Sequence, residues 1–191
     1  MRALVLASTS EWRLQLLRDA GIQAMAIGSQ VDESQWVGET PIQTAELRAR
    51  AKAEAVVAGN PEFWVLGADQ VIHLDGETIG KPESDDVWRQ RLQAMRGRTH
   101  DLTTAVALWD SEKWEVRAVT TRVRFRADLT DAEIDAYIKS GEARGCAGGY
   151  MVERRGAWLV ESIEGDWSNV VGLPVLTVVG MLRDRGMTVP V

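Results

Sequence analysis

Apolar and polar positions change period repeatedly along the chain, and each change marks an element. An apolar run over 2–7 stops at Ser8-Thr9-Ser10, after which Trp12, Leu14, Leu16 and Leu17 mix with charged residues as far as Gly21. That pattern predicts a buried strand, a polar loop, a helix and a glycine stop. Thr40-Pro41-Ile42-Gln43 combines a capping threonine, a proline at the first helical position and a glutamine at the third. It opens a predicted helix that runs to about Gly59 and contains Lys52. From Phe63 to Leu74 the chain is rich in Val, Leu and Ile, and Asp75-Gly76 then turns it into a short return segment ending at Lys81-Pro82. This is a hairpin signal, and it places Asp69 within a strand or at its end.

Ser84-Asp85-Asp86 caps a helix whose Trp88, Leu92 and Met95 follow helical spacing until Gly97. A strand pair follows over Asp101 to Asp110 and Trp114 to Arg126. Thr130-Asp131-Ala132-Glu133 then forms a capping box that carries Ile134, Tyr137 and Ile138 inward before Gly141. After glycines at 145, 148 and 149, Trp158 to Ile163 reads as a strand and Pro174 to Arg185 as a last helix. Strands and helices alternate, but hairpins interrupt them. The expected class is therefore α/β with a mixed twisted central sheet flanked by helices, not a purely parallel one. With no repeat, low-complexity tract or linker, 1–191 is expected to form one domain.

Composition narrows the function. A chain of 191 residues, 45% of them hydrophobic, can bury a sizeable core. No apolar run approaches the roughly 18 residues of a membrane span, so no membrane partner is expected. MRALVLAS has the charge and short apolar stretch of a weak signal peptide, but Glu11 and polar helix formers follow without a cleavage pattern, which predicts a cytoplasmic protein. A formal net charge of −6 argues against long nucleic acid as a partner. It leaves room for a small phosphorylated substrate, met by a few converging cations or by a metal bridging carboxylates to phosphate. The single Cys146 excludes an intramolecular disulfide and is expected to pack.

Ser8-Thr9-Ser10, feeding a helix, offers hydroxyls and backbone N–H groups at the positive end of the helix dipole, with Arg13 one turn in. It reads as an anion cradle, or as a plain cap at Ser10 with Arg13 in solvent. Val31-Asp32-Glu33 and Gly67-Ala68-Asp69-Gln70 set carboxylates where strand ends project into clefts. Mg²⁺ takes one or two such oxygen ligands plus phosphate and water. Asp69 is the sharper of the two, because a charge inside an apolar strand is costly unless it is paired or metal-bound. Lys52 and Lys81 can meet phosphate charge or lie solvated; His73 and His100 lack triad or metal spacing and read as structural. Of the 8 tryptophans, Trp64, Trp88, Trp109 and Trp158 sit where core or sheet faces are expected, whereas Trp12 and Trp167 lie in polar segments of functional character.

LASTSEWR, VDES, RARAKAEAV, GADQVI, GKP, GRTHDLTTAV, SGEARGCAGGY and IEGDWSNVVGLP follow one another from Leu6 to Pro174. In order and spacing this set resembles the Maf family of nucleoside triphosphate pyrophosphatases, over nearly the whole chain. The resemblance implies an α/β fold similar to that of inosine triphosphate pyrophosphatases, with two lobes around a cleft. It implies Asp69 as general base, Glu33 as a metal or water ligand, and Ser8, Ser10, Arg13, Lys52 and Lys81 as the groups that hold the triphosphate. A divalent cation, Mg²⁺ or Mn²⁺, is implied at Glu33 and Asp69, and a homodimer is compatible with it. Cleavage between the α and β phosphates would give a nucleoside monophosphate and pyrophosphate.

Family branches differ at three base-facing positions, which here are Trp12, Gln70 and Glu153. The set is similar to the branch that cleaves 7-methyl-GTP, whereas the branch acting on dTTP and UTP looks like Arg, Thr and Gln. A Glu153 carboxylate suits the paired N–H donors of guanine, and the cationic 7-methylated ring suits the face of Trp12. The expected substrate is therefore 7-methyl-GTP. AGGYMVERRG and SNVVGLP nevertheless resemble the pyrimidine branch, so dTTP/UTP pyrophosphatase stands as the alternative. A non-catalytic nucleotide-binding regulator of cell division is the alternative of another class.

Overall fold

The computed structural model describes residues 3–188. The chain runs β1 (Leu4–Leu6), α1 (Glu11–Asp19), β2 (Ala24–Ala26), α2 (Pro41–Val57), β3 (Trp64–Leu74), β4 (Glu77–Ile79), α3 (Asp85–Met95), β5 (Thr99–Trp109), β6 (Trp114–Phe125), α4 (Asp131–Ser140), β7 (Val160–Glu164), α5 (Trp167–Val171) and α6 (Val175–Arg183). The strands form one 7-stranded sheet in the order β2-β1-β3-β5-β6-β7, with β4 beside the far half of β3. β1 pairs in parallel with β2 and β3, and the remaining pairings are antiparallel. The sheet is thus mixed, as the hairpins predict. Of the expected first strand, Arg2 lies outside the described residues.

Local signals place the helices where expected. Ser10, Thr40, Ser84 and Thr130 each accept a backbone N–H from the first turn of α1, α2, α3 and α4, and the Thr130–Glu133 box is closed from both sides. Asp75 and Gly76 both adopt positive φ, the conformation a two-residue hairpin turn demands. Trp158 departs from expectation. It sits in a 3₁₀ turn before β7 and is 81% exposed, while its neighbour Leu159 is buried.

Strand alternation separates the helical layers. Val5, Val65, Val71 and Ala105 face α2, while Leu4, Leu6, Leu66, Val106 and Leu108 face α1 and α6. A further cluster joins Ile72, Leu102, Val123 and Phe125 to α3, α4 and Tyr150–Val152. β3 and β5, each 11 residues long, span roughly 36 Å and carry both halves of the molecule. α2 lies unusually close to the sheet. A Cβ on Gly67 would meet Ala49 O at 2.2 Å, and Ala45, Ala49 and Ala53 line the contact. That close approach lets Lys52, on the same helix face, reach β3.

Candidate active site

β3 changes partner midway. Its residues 64–66 pair with β1 and 72–74 with β4, so on that side 67–71 have no strand neighbour, while β5 pairs along the other. Ligands in open α/β sheets bind at such breaks. A cleft of about 740 Å³ opens there, within the range of small-molecule sites. Ser8, Trp12, Arg13, Glu33, Arg48 and Lys52 line it from one half, and Gln70, Lys81, Tyr150 and Glu153 from the other side and floor.

Asp69 lies in the middle of β3, not at a strand end, and is 3% exposed. Lys52 covers it: Nζ sits 2.6 Å from Asp69 Oδ1 and 2.7 Å from Glu33 Oε1. Asp69 Oδ2 is buried without a hydrogen-bond partner among the described residues. Lys52 is thus neither solvated nor free, and Asp69, absent from the cleft lining, lies behind it. Burial works to push the Glu33 carboxyl up, but the hydrogen bond and charge of Lys52, with Arg48 and Lys81 farther off, hold it below its usual value. Neighbouring Asp32 is structural, capping a 3₁₀ turn by accepting from Ser34 and Gln35.

The serine loop is less open than its sequence suggests. Ser8 N–H donates to Leu6 O, Ser10 N–H donates to Ser8 Oγ, and Ser10 Oγ caps α1 at Arg13 N–H, so those donors and that hydroxyl already have partners. Arg13 fills the broken ladder of β3: Nη1 donates to Ala68 O at 2.8 Å, and Nε to Gly172 O at 2.9 Å beyond the end of α5. Burial draws its guanidinium below the usual value, and Asp69 and Glu33 oppose that. Arg13 therefore braces the floor as well as charging it. Lys81 is exposed on the opposite rim.

Gln70, one residue on, projects to the other face of β3. Its amide nitrogen donates to Asn169 O at 2.6 Å and Thr104 Oγ1 at 3.1 Å, which leaves Oε1 as the group it can offer. Asn169, fully buried, is held in turn by Leu102 O, Val119 O and Thr121. The segment that carries Glu153 is set by Gly149, whose carbonyl accepts from Trp88 Nε1 at 2.6 Å. A Cβ there would meet that same nitrogen at 2.5 Å. His100 and Tyr150 share a buried hydrogen bond of 2.7 Å, and burial drives His100 down to about 3, so it stays neutral and structural. Burial pushes the Glu153 carboxyl up, against the pull of Arg154.

Two residues that the sequence did not single out belong to the cleft region. Arg48 stands one helical turn before Lys52 on α2, lines the cleft, and donates from Nε to Trp36 O at 3.0 Å, tying down the loop that carries Glu33. An i,i+4 spacing to a chosen lysine was the signal that could have found it. Arg154 sits over the ring of Trp12. Trp167, by contrast, is 51% exposed at the start of α5 and is absent from the cleft lining. Cys146 packs against the core at the cleft wall.

Comparison with known proteins decides the family, because the match described as Maf-like protein covers residues 3–185. The chain belongs to the Maf family. It is 40% identical to a dTTP/UTP pyrophosphatase of Syntrophomonas wolfei, covering 96% of this chain and 98% of that one. It is also 41% identical to a nucleoside triphosphate pyrophosphatase of Streptomyces avermitilis, covering 97% and 92%. Neither name mentions 7-methyl-GTP. Among solved structures, the Ham1 protein of Staphylococcus aureus aligns at 17% identity with a TM-score of 0.44, over 66% of this chain and 73% of that one. Among the described residues no helix of this Maf-family chain is long and apolar enough to cross a membrane.

Proposed function

We propose that this Maf-family enzyme hydrolyses nucleoside triphosphates to nucleoside monophosphate and pyrophosphate. The triphosphate lies over Lys52 and the base points toward Trp12, Gln70 and Glu153. The observation that carries the reading is the Glu33–Lys52–Asp69 cluster under a cleft that Arg13, Arg48 and Lys81 also line. An incoming triphosphate gives the Lys52 ammonium a competing anion, which draws it off Asp69. Asp69 then accepts a proton from water as that water attacks in line at the α-phosphorus; the new P–O bond forms as the α–β bridge breaks. The cations meet charge that grows on the phosphates and on the departing pyrophosphate.

The donor set fits a divalent cation. Asp69 has an oxygen without a partner among the described residues and Glu33 is half exposed, which matches the one or two carboxylates that Mg²⁺ takes beside phosphate oxygens. Among the described residues no group of three or more His, Cys, Asp or Glu competes as a self-contained metal cage. Bound by Glu33 and Asp69, Mg²⁺ or Mn²⁺ would supply positive charge to the reacting phosphate.

For the base, dTTP and UTP have the better support. Relatives at 40% identity and nearly full coverage carry that activity in their names. The raised Glu153 carboxyl also agrees with it: when protonated it offers a donor and an acceptor side by side, which complements the N–H and carbonyl of uracil or thymine. A second reading, 7-methyl-GTP, is favoured by the presence of both Trp12 and Glu153 at the cleft. Parallel assays with dTTP, UTP, GTP and 7-methyl-GTP separate them. Faster turnover of dTTP and UTP supports the first reading; preference for 7-methyl-GTP replaces it with the second. Release of orthophosphate in place of pyrophosphate contradicts both.

A further inference from the structure

Trp12 lines the cleft, and Arg154, outside that lining, lies over its ring. Trp12 is the second residue of α1, and Arg154 follows Glu153 in the segment packed on α3 and α4. The guanidinium carbon of Arg154 lies 4.7 Å from the centroid of the indole. Arg154 is exposed, and among the described residues no salt bridge holds its guanidinium, so the indole face is what positions it. Both neighbours of this pair in the cleft wall, Arg13 and Glu153, face the same cavity.

We propose that Arg154 is a specificity-determining residue that turns the base end of the cleft against positively charged bases. An indole face rewards a cation. Here the chain itself supplies that cation, so a cationic base such as 7-methylguanine must either displace the guanidinium or stack within a few ångströms of a like charge. An uncharged planar base meets no such penalty, because it can lie against both flat groups. Glu153 alone does not reverse this, since burial works against the charged form that a cationic ring would need beside it. The proposal rests on the reading that the base lies at Trp12.

The test compares inhibition by 7-methyl-GMP with inhibition by GMP, two ligands that differ in one methyl group and one charge, against hydrolysis of whichever triphosphate the wild type cleaves fastest. In Arg154→Gln and Arg154→Ala, 7-methyl-GMP gains on GMP by about fivefold relative to wild type, the size of a like-charge contact near 4 Å in water. Arg154→Lys keeps the charge and keeps the wild-type ratio. A ratio that shifts by less than threefold in both the Gln and Ala variants overturns the proposal, as does an equal gain in the Lys variant. Trp12→Ala tells the two failures apart. If it weakens either inhibitor while the Arg154 series stays flat, this inference alone is wrong; if it leaves both inhibition constants unchanged, the base does not lie at Trp12 and the underlying reading falls with it.

Discussion

Two regions of this protein each place one cation between two carboxylates, at nearly identical distances. Lys52 sits 2.6 Å from Asp69 and 2.7 Å from Glu33; Arg185 sits 2.7 Å from Asp110 and 2.6 Å from Glu115. Their surroundings differ. Asp110 Oδ1 accepts the backbone N–H groups of Glu112 and Lys113, Glu115 also pairs with Arg117, and Arg185 donates again to Met181 O. The planar guanidinium there is a fixed fork that staples the end of α6 to the β5–β6 hairpin. At the cleft, the bridging group is a single ammonium, Asp69 Oδ2 has no partner among the described residues, and Glu33 is half exposed. The unpartnered buried atom is therefore a guanidinium nitrogen, Arg185 Nη2, at the staple and a carboxylate oxygen, Asp69 Oδ2, at the cleft, among the described residues.

That contrast breaks first at Asp69. Asp69→Asn is expected to lower kcat/KM by about 10³, the scale of a lost general base, whereas Asp110→Asn leaves kcat/KM of the folded enzyme unchanged. Steady-state kinetics on both variants check this. Next, Lys52→Met is expected to lower kcat/KM by on the order of 10², since it removes charge that the transition state needs more than the ground state does. Arg185→Met is expected to cost about 3 kcal/mol in denaturant unfolding, with activity per folded molecule intact.

The pH dependence of that staple has a definite sign. Burial works to raise Asp110 and Glu115, but the amides of Lys113 and Glu112 and the charge of Arg185 leave Asp110 lowered, and Arg185 and Arg117 leave Glu115 lowered. Groups with depressed folded values stabilise at neutral pH and lose that contribution as pH falls through them, below about pH 4. Thermal melts across that window should drop more steeply for wild type than for Arg185→Met. The smallest effect lies at the base end. Glu153 is raised, so its neutral form persists to higher pH and is lost as pH rises through its value. The dTTP to 7-methyl-GTP ratio in kcat/KM should then fall by on the order of tenfold, and Glu153→Gln should flatten it. A wild-type ratio that stays flat or rises with pH would contradict this role for Glu153.

Much of the fold was legible because its causes are local. Caps at Ser10, Thr40, Ser84 and Thr130 act within three residues, and the long strands β3, β5 and β6 announce themselves by apolar runs bounded by turn residues. The three-residue β2 and the five-residue α5 are too short to show a period, and they exist through pairing with β1 and through Asp166 and Asn169. The site was legible as a list of residues and not as an arrangement. That Arg13 braces Gly172, 159 residues away, and that Lys52 lies over Asp69 depend on how closely α2 and α5 approach the sheet. Arg154 carries no motif of its own; only the opposing indole shows its place.

Hydrolysis in ¹⁸O-labelled water followed by mass analysis of the products tests directly whether water at the Asp69 cluster attacks the α-phosphorus. The label should appear in the nucleoside monophosphate, with unlabelled pyrophosphate released in equal amount. Label in the pyrophosphate, or in orthophosphate, would show attack at another phosphorus and contradict the account.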